Sequence, residues 1–202
     1  MARALVVPLN DSWVTPNHLT TLRLGVGLAA AAAFVPGTYA WSNVAALLLV
    51  LSNFLDHADG ELARLSGKFS RLGHFYDIAS DAAVTILAFI GMGVGVAAVP
   101  RIDLDLPPAL LGAISGSAIA LIFFLRMRIE EMFGKAATQQ AYFAGFETED
   151  ILYLLPLVTL CNGVAPFLLA AAICAPLFAA RVAIDYWGAL RRVRRLSRGV
   201  AG

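Results

Sequence analysis

Long apolar stretches alternate along this chain with short polar segments that contain proline, glycine or charged residues. The apolar stretches are long enough to cross a bilayer, which takes about 20 helical residues. Six membrane helices are therefore predicted, and the chain is assigned to the all-α integral membrane class. They run from about Leu19 to Val35, Trp41 to Arg64, Gly73 to Val99, Ala109 to Glu131, from before Glu147 to residues 161–163, and from about Pro166 to Leu190.

The two ends of the chain are expected to lie outside these spans. Residues 1–17 contain Pro8, Asp11 and Pro16 and are predicted to form a short juxtamembrane helix. Residues 191–202 include the sequence RRVRRLSR and are predicted to be a basic cytoplasmic tail. Nothing in the pattern divides the chain, so residues 1–202 are expected to form a single membrane domain.

Composition agrees with a membrane location. Hydrophobic residues make up 59% of the 202 positions and charged residues only 14%, whereas about a quarter of a soluble domain is charged. Six spans place 14 of the 15 Lys and Arg residues on one side and only Arg101 on the other. The positive-inside rule then puts both termini in the cytoplasm, with the chain in the cell (inner) membrane. A bilayer partner is expected, and a nucleic-acid partner is not.

Four aspartates flank the polar link between the second and third predicted helices. Asp56 and Asp59 are three residues apart, and Asp77 and Asp81 are four apart, so each pair shares one helix face. Carboxylates beside a bilayer core are costly and usually functional. With no accompanying cysteine or suitably spaced histidine, they suit a hard cation such as Mg²⁺, Mn²⁺ or Ca²⁺ rather than Zn²⁺. The sequence predicts a metal site facing the cytoplasm.

Small residues and one arginine accompany these acids. Gly60 follows Asp59 directly, and Arg64 lies one turn beyond Gly60. Glycine permits close approach of a ligand to the backbone, and a guanidinium can hold a phosphate through two hydrogen bonds. The combination favours a pocket for a metal-bound diphosphate.

The spacing D-x2-D-G-x2-A-R-x8-G-x3-D-x3-D resembles the signature of the CDP-alcohol phosphotransferase family, and all eight defined positions match. The resemblance implies two Mg²⁺ or Mn²⁺ ions held by Asp56, Asp59 and Asp77. Asp81 would complete the second metal site and act as the general base. The implied contacts to the donor are Thr15, Pro16, Asn17, His18, Gly60, Ala63, Arg64, Ser70 and Gly73.

The reaction implied by the resemblance is attack by an alcohol on the β-phosphorus of a CDP-linked donor, with release of CMP. CDP-diacylglycerol is the favoured donor, and a soluble CDP-alcohol with a lipid or polar hydroxyl acceptor is the alternative. A divalent-cation transporter is a remote alternative, because the acids crowd one side of the membrane. A homodimer is also expected from the resemblance. Glycines at positions 91–95, 112 and 116 permit such an interface, but packing within the bundle explains them equally well.

The acceptor alcohol stays open. Arg126, Lys135 and Arg181 could bind an acceptor phosphate, although Arg181 is also spaced to pair with Asp185. Glu147 and Asp150 could instead form an acidic wall that suits a cationic or hydroxyl-rich acceptor. Because these two groups of residues favour different acceptors, the sequence does not choose between them.

Overall fold

A computed structural model describes residues 6–9, 13–67, 70–98, 106–133 and 153–199. Within these ranges the chain forms helices joined by turns, which confirms the predicted all-α class. A short 3₁₀ turn at Val7–Leu9 comes first. The helices that follow are α1 (Pro16–Phe34), α2 (Tyr39–Ser66), α3 (Arg71–Ala97), α4 (Pro108–Phe133), α5 (Leu155–Leu160) and α6 (Val164–Gly199).

Three helices in the described part of the chain are long and apolar enough to cross a membrane. The qualifying segments are Leu72–Ala97, Pro108–Phe133 and Val164–Val193. Polar and charged side chains lie in α1 and α2, among them Arg23, Asp56 and Asp59. Membrane-spanning character is therefore supported for α3, α4 and α6, and the total of six spans stays a prediction.

Local sequence explains where the first three helices begin. The hydroxyls of Thr15, Thr38 and Ser70 accept hydrogen bonds from backbone N–H groups in the first turns of α1, α2 and α3. Such caps satisfy donors that a helix start otherwise leaves unpaired. Helix α2 ends at Gly67, whose φ of 64° is accessible to glycine without strain. These caps place α1, α2 and α3 within a few residues of their predicted limits.

The last two helices differ in length from the prediction. The described part of the fifth helix is short and ends where predicted, before Cys161 and Asn162, and the latter adopts a φ of 53°. Its predicted start lies in residues 134–152, outside the described part of the chain. Helix α6 continues to Gly199, so most of the predicted basic tail is helical. Residues 189–198 contain neither glycine nor proline, and their several arginines are good helix formers.

Helix α1 packs against both α2 and α3, while α4 packs against α3 and α6. Small residues allow the first of these contacts, since Ala30 and Ala45 are completely buried and Ala88 is 2% exposed. The bundle thus places α1 in contact with both of the helices that carry the four aspartates.

The glycines expected at a dimer interface are used inside this bundle. A side chain at Gly91 or Gly95 of α3 would collide with the α1 backbone, and one at Gly112 or Gly116 of α4 would collide with α3. Close helix contacts within one chain therefore account for these residues. The homodimer remains a prediction from the family resemblance.

Candidate active site

The two pairs of aspartates converge at one end of the bundle, as predicted. Carboxylate oxygens of Asp56 and Asp59 on α2 and of Asp77 on α3 all lie within 4.8 Å of one another. The side chains differ in exposure, from 7% for Asp59 to 48% for Asp81. These four residues are called the acidic cluster below. It has a buried member on α2 and an accessible member on α3.

Helix α1 inserts Arg23 between the two pairs, and the sequence analysis did not predict this contact. The Arg23 side chain is 3% exposed. Its Nη1 atom lies 2.6 Å from Asp56 Oδ1, and its Nη2 atom lies 2.9 Å from Asp77 Oδ1. Nη1 also contacts Asp81 Oδ1. The pairs were expected on directly neighbouring helices, but they meet through a third helix.

Thr20 is a second contact to the acidic cluster that sequence reasoning missed. Its hydroxyl is buried and donates a hydrogen bond to Asp59 Oδ2 at 2.9 Å. Thr20 and Arg23 are three residues apart and share one face of α1. A signal was present in the sequence, because a charged residue within a largely apolar helix is itself costly. The charge pattern alone explains Arg23 as one of the Lys and Arg residues on the cytoplasmic side.

The predicted donor-binding segment at residues 15–18 caps α1. The Thr15 backbone N–H donates to His18 Nδ1 at 3.2 Å, and the His18 N–H donates to the Thr15 hydroxyl at 3.4 Å. Pro16 occupies the first turn, where its missing N–H costs nothing. A Cβ atom on Gly73 would lie 2.8 Å from Asn17 Oδ1. The start of α1 therefore lies against the start of α3, one turn from Asp77.

Ser70 and Gly73 belong to the same junction. The Gly73 backbone N–H donates to Ser70 Oγ at 2.9 Å, so Ser70 has a structural role as the cap of α3. A Cβ atom on Gly73 would lie 2.8 Å from Ser70 Oγ and equally close to Asn17 Oδ1, so Ser70 lies near the start of α1. The structure thus brings Asn17 at the start of α1 together with Ser70 and Gly73 at the start of α3.

Gly60 follows Asp59 of the acidic cluster on α2 and is not closely packed. A Cβ atom there would have only the Arg64 side chain near it, at 3.6 Å or more. Arg64 is 60% exposed and pairs with Glu61 at 3.2 Å. Ala63 is half-buried between them along the helix. No packing within the described chain requires a glycine at position 60, whereas an incoming ligand would use the space.

The residues predicted to bind the acceptor have other partners or lie outside the described part. Arg126 lies over the ring of Phe178, with 5.3 Å to the centroid. Arg181 pairs with Asp185 at 3.5 Å, as their spacing allows. Lys135, Glu147 and Asp150 fall outside the described residues. The structure therefore adds no support for an acceptor site at these positions.

A polar group on α3 and α4 was not predicted as a unit. His74 Nε2 lies 3.4 Å from Glu131 Oε1, and Arg128 Nη1 lies 2.5 Å from Glu131 Oε2. His74 follows Gly73, so this exposed group adjoins the helix junction that holds Asn17. It connects the end of α4 to the start of α3.

Comparison with known proteins decides the family. The sequence model of the family described as CDP-alcohol phosphatidyltransferase matches residues 13–187. The chain belongs to this family. The match extends from the residues just before α1 into the second half of α6, and it confirms the resemblance carried by the eight signature positions.

Two curated proteins are similar to parts of this family member. Archaetidylinositol phosphate synthase of Pyrococcus horikoshii is 34% identical over 83 residues, which is 41% of this chain and 42% of the relative. CDP-diacylglycerol–glycerol-3-phosphate 3-phosphatidyltransferase of Cereibacter sphaeroides is 35% identical over 80 residues, 39% of this chain and 36% of the relative. The aligned segments thus span about two-fifths of each curated relative.

The acidic cluster fits the divalent metal on which this phosphatidyltransferase family generally depends. All four side chains offer carboxylate oxygens, the ligands that Mg²⁺ and Mn²⁺ prefer. One guanidinium among four carboxylates leaves most of their negative charge uncompensated if all are ionised. Arg23 Nε is buried and has no hydrogen-bond partner among the described residues. The uncompensated charge of the carboxylates indicates a site that a bound cation would complete.

Proposed function

We propose that this phosphatidyltransferase family member transfers a substituted phosphate group from a CDP-linked lipid to the hydroxyl of a small alcohol, with release of CMP. The observation that carries the proposal is the convergence of Asp56, Asp59 and Asp77 within 4.8 Å. The more exposed Asp81 lies beside them, held by the same arginine. Such an arrangement suits phosphoryl transfer, which relies on positioning and on neutralising charge.

Asp56, Asp59 and Asp77 are the proposed ligands of two divalent cations, Mg²⁺ or Mn²⁺, with Asp81 completing the second site. When bound, the cations would neutralise the diphosphate and stabilise the attacking and leaving oxygens. Thr20 fixes the orientation of Asp59 through its hydrogen bond to Oδ2. Removing this hydroxyl would free the carboxylate to rotate, so Thr20 supports the proposed ligand geometry.

The proposed donor site comprises two groups of residues next to the acidic cluster. One group is Thr15, Pro16, Asn17 and His18 together with Ser70 and Gly73 at the junction of α1 and α3. The other group is Gly60, Ala63 and Arg64 on α2, where the space beside Gly60 admits the diphosphate and exposed Arg64 can rotate away from Glu61 to hold a phosphate oxygen. An exposed ion pair of this kind contributes little stability, so replacing the Arg64–Glu61 contact by an Arg64–phosphate contact costs little free energy.

Asp81 is the proposed general base. Its carboxylate takes the proton of the acceptor hydroxyl as the alcohol oxygen forms a bond to the β-phosphorus. The bond between that phosphorus and the bridging oxygen of the diphosphate breaks, and CMP leaves with the electron pair. Asp81 has the most exposed side chain of the acidic cluster, at 48%, so an acceptor can reach it within hydrogen-bond distance.

The two relatives guide the choice of substrates. The Cereibacter sphaeroides relative is named for CDP-diacylglycerol and glycerol 3-phosphate, and the Pyrococcus horikoshii relative is named for the synthesis of archaetidylinositol phosphate. We propose CDP-diacylglycerol or a similar CDP-linked lipid as the donor and a phosphate-bearing alcohol as the first acceptor to test. A soluble CDP-alcohol donor is the alternative. Cation transport, the remote alternative, has less support because the chain belongs to a transferase family.

The membrane arrangement proposed for this enzyme follows the charge pattern. Six spans would cross the cell membrane, with the acidic cluster and both termini facing the cytoplasm. Cytoplasmic orientation would give the site access to water-soluble acceptors and to CDP-linked lipid in the same leaflet. The chain would then act in phospholipid biosynthesis, as a homodimer if the family resemblance extends to assembly.

Purified protein is expected to release CMP from CDP-diacylglycerol when Mg²⁺ and the correct alcohol are both present. The measurement is CMP formation with glycerol 3-phosphate, inositol phosphate, inositol, serine or ethanolamine as acceptor. Release should require one acceptor and stop when EDTA removes the metal, because uncompensated phosphates and carboxylates repel one another. A lipid product of matching mass identifies the acceptor.

Three results would contradict parts of this proposal. CMP release from a soluble CDP-alcohol but not from CDP-diacylglycerol would replace the donor and keep the reaction class. If the protein neither releases CMP nor binds any CDP-linked donor, the proposed transferase activity is refuted. Turnover that persists in EDTA would refute the proposed metal dependence and leave the proposed donor unchanged.

Gly60→Ala is expected to impair donor binding without weakening the fold. The new methyl group meets only the flexible Arg64 side chain, and alanine is a better helix former than glycine. It would occupy space proposed for the diphosphate, so the KM for the donor should rise by about tenfold or more. Steady-state kinetics together with thermal unfolding measure the two effects separately.

Gly25→Ala is the matched control for this substitution. Gly25 also lies inside a helix, and a Cβ atom there has nothing within 4 Å. It should raise helix stability by a similar amount and leave the donor KM unchanged. An unchanged donor KM in Gly60→Ala would show that the space beside Gly60 is not used by the donor.

A further inference from the structure

A buried basic side chain lies inside the acidic cluster, and the proposed transfer reaction gives it no part. Arg23 is 3% exposed and projects from the second turn of a largely apolar helix. A guanidinium removed from water is costly unless it is paired and hydrogen-bonded. Its surroundings therefore show what Arg23 is paired with and what that pairing does.

One guanidinium connects acids from both aspartate-bearing helices. Arg23 Nη1 contacts Asp56 of α2 at 2.6 Å and also contacts Asp81 of α3. Nη2 donates to Asp77 twice, to Oδ1 at 2.9 Å and to the backbone carbonyl at 3.1 Å. Without the Arg23 guanidinium, the carboxylates of Asp56, Asp77 and Asp81 would face one another between α2 and α3 with no positive charge between them.

The backbone of α1 is fixed on both sides of Arg23. The Ser52 hydroxyl of α2 donates to the Arg23 carbonyl at 3.1 Å. Thr20, one turn earlier, donates to Asp59 at 2.9 Å. Gly27, one turn later, leaves no room for a Cβ atom against Val84 of α3. The position of the guanidinium between the helices is thus built into the packing of α1.

The arrangement around Arg23 is nevertheless incomplete. Nε is buried and has no hydrogen-bond partner in the described part of the chain. The Asp59 Oδ2 atom lies 3.9 Å away, which is beyond hydrogen-bond distance. A single positive charge also balances only part of the charge of four carboxylates. A cation of higher charge would therefore compete effectively with the guanidinium for the same oxygens.

We propose that Arg23 is a positioning residue that gathers Asp56, Asp77 and Asp81 before metal binds, and that the divalent cation enters in competition with its guanidinium. The inference rests on the proposed use of the acidic cluster as a divalent-cation site. Two consequences follow from it. Removing the charge of Arg23 weakens the metal-free protein, because the carboxylates then repel one another. The same change strengthens metal binding, because the competing cation is gone.

The test compares Mn²⁺ binding by the full-length wild-type protein and Arg23→Met in detergent. The electron paramagnetic resonance signal of free Mn²⁺ gives the Kd without any turnover, and thermal unfolding with and without Mn²⁺ gives Tm. In Arg23→Met, the Kd should fall by about tenfold or more. Its metal-free Tm should lie below that of the wild type, and its rise in Tm on Mn²⁺ addition should be larger.

Two further variants complete the experiment. Arg23→Lys keeps the charge but lacks the planar fork that contacts several carboxylates at once, so its Kd should lie between those of Arg23→Met and the wild type. It decides the question alone if Arg23→Met does not fold. Arg191→Met removes one exposed charge from α6 and should leave the Kd for Mn²⁺ unchanged.

The possible outcomes separate the two levels of inference. An unchanged Kd with equal losses of Tm in the presence and absence of Mn²⁺ would make Arg23 a purely structural ion-pair partner. A higher Kd for Mn²⁺ in Arg23→Met would mean that Arg23 supports the metal ligands in the metal-bound state. Either result overturns the proposed competition and leaves the metal site intact. Failure of the wild type to bind Mn²⁺ would overturn the metal site and the competition together.

Discussion

Asp81→Asn is expected to lower the turnover number by about 10²–10⁴-fold at saturating donor, acceptor and metal. The amide keeps the size of the side chain and its contact with Arg23 through oxygen, but it cannot take up the proton of the acceptor hydroxyl. Because Asp81 is the most exposed member of the acidic cluster, its replacement should leave the fold intact. CMP release measures the loss, and thermal unfolding verifies that the variant is folded.

Binding measurements distinguish a base from a metal ligand at Asp81. If Asp81 acts mainly as the base, Asp81→Asn should retain most of its affinity for Mn²⁺ and for the CDP-linked donor while turnover falls. A parallel loss of metal affinity would show that Asp81 acts through the second cation. Near-normal turnover in Asp81→Asn would refute the base assignment.

The helix pattern was predictable because polar interruptions coincide with physical helix ends. Pro36 and Gly37 follow the end of α1, and Gly37 adopts a φ of 65°. Ser70 gives the capping hydroxyl of α3. The length of α6 was less predictable, since the arginines after Leu190 suit both a solvated tail and a continued helix. Hydropathy marks where a span can end, but it does not mark where the helix ends.

The meeting of the two aspartate pairs was predictable from spacing and chain connectivity. Residues three or four apart must share a helix face, and the short link between α2 and α3 brings their adjoining ends to one side. Asp56, Asp59 and Asp77 were therefore expected to meet, and their carboxylate oxygens do lie within 4.8 Å. Local periodicity and chain connectivity were sufficient for this part of the site.

The contribution of α1 was not predictable in the same way. Periodicity identifies which residues share a face, but it does not fix which helix a face packs against. The positive-inside rule already explains Arg23 as a cytoplasmic charge. The charge pattern therefore gives no reason to expect its burial against the aspartates. The glycines of α3 and α4 present the same problem, because contacts within and between chains both require small residues. Tertiary packing decides these cases.

Asp59→Asn is expected to move activity and stability in opposite directions. Asp59 is the most buried acid of the cluster, with a 7% exposed side chain, and it accepts the hydrogen bond of Thr20. The amide removes a proposed metal ligand, so CMP release should fall by about 10³-fold or more if the proposed cations carry the reaction. It also removes one of four mutually repelling charges, so the metal-free Tm should rise.

Thermal unfolding with and without Mn²⁺ tests both halves of this expectation. In Asp59→Asn, Mn²⁺ should no longer raise Tm appreciably, since the gain from a ligand depends on its affinity for the folded state. Glu130→Gln, which removes a carboxylate from α4 outside the acidic cluster, should keep wild-type turnover and the wild-type response to Mn²⁺. If Asp59→Asn instead unfolds at a lower temperature than the wild type without metal, then Asp59 serves mainly as a structural partner of Thr20 and Arg23. Retention of the full Mn²⁺ response would exclude Asp59 from the ligand set, and the metal site would have to be rebuilt around Asp56, Asp77 and Asp81.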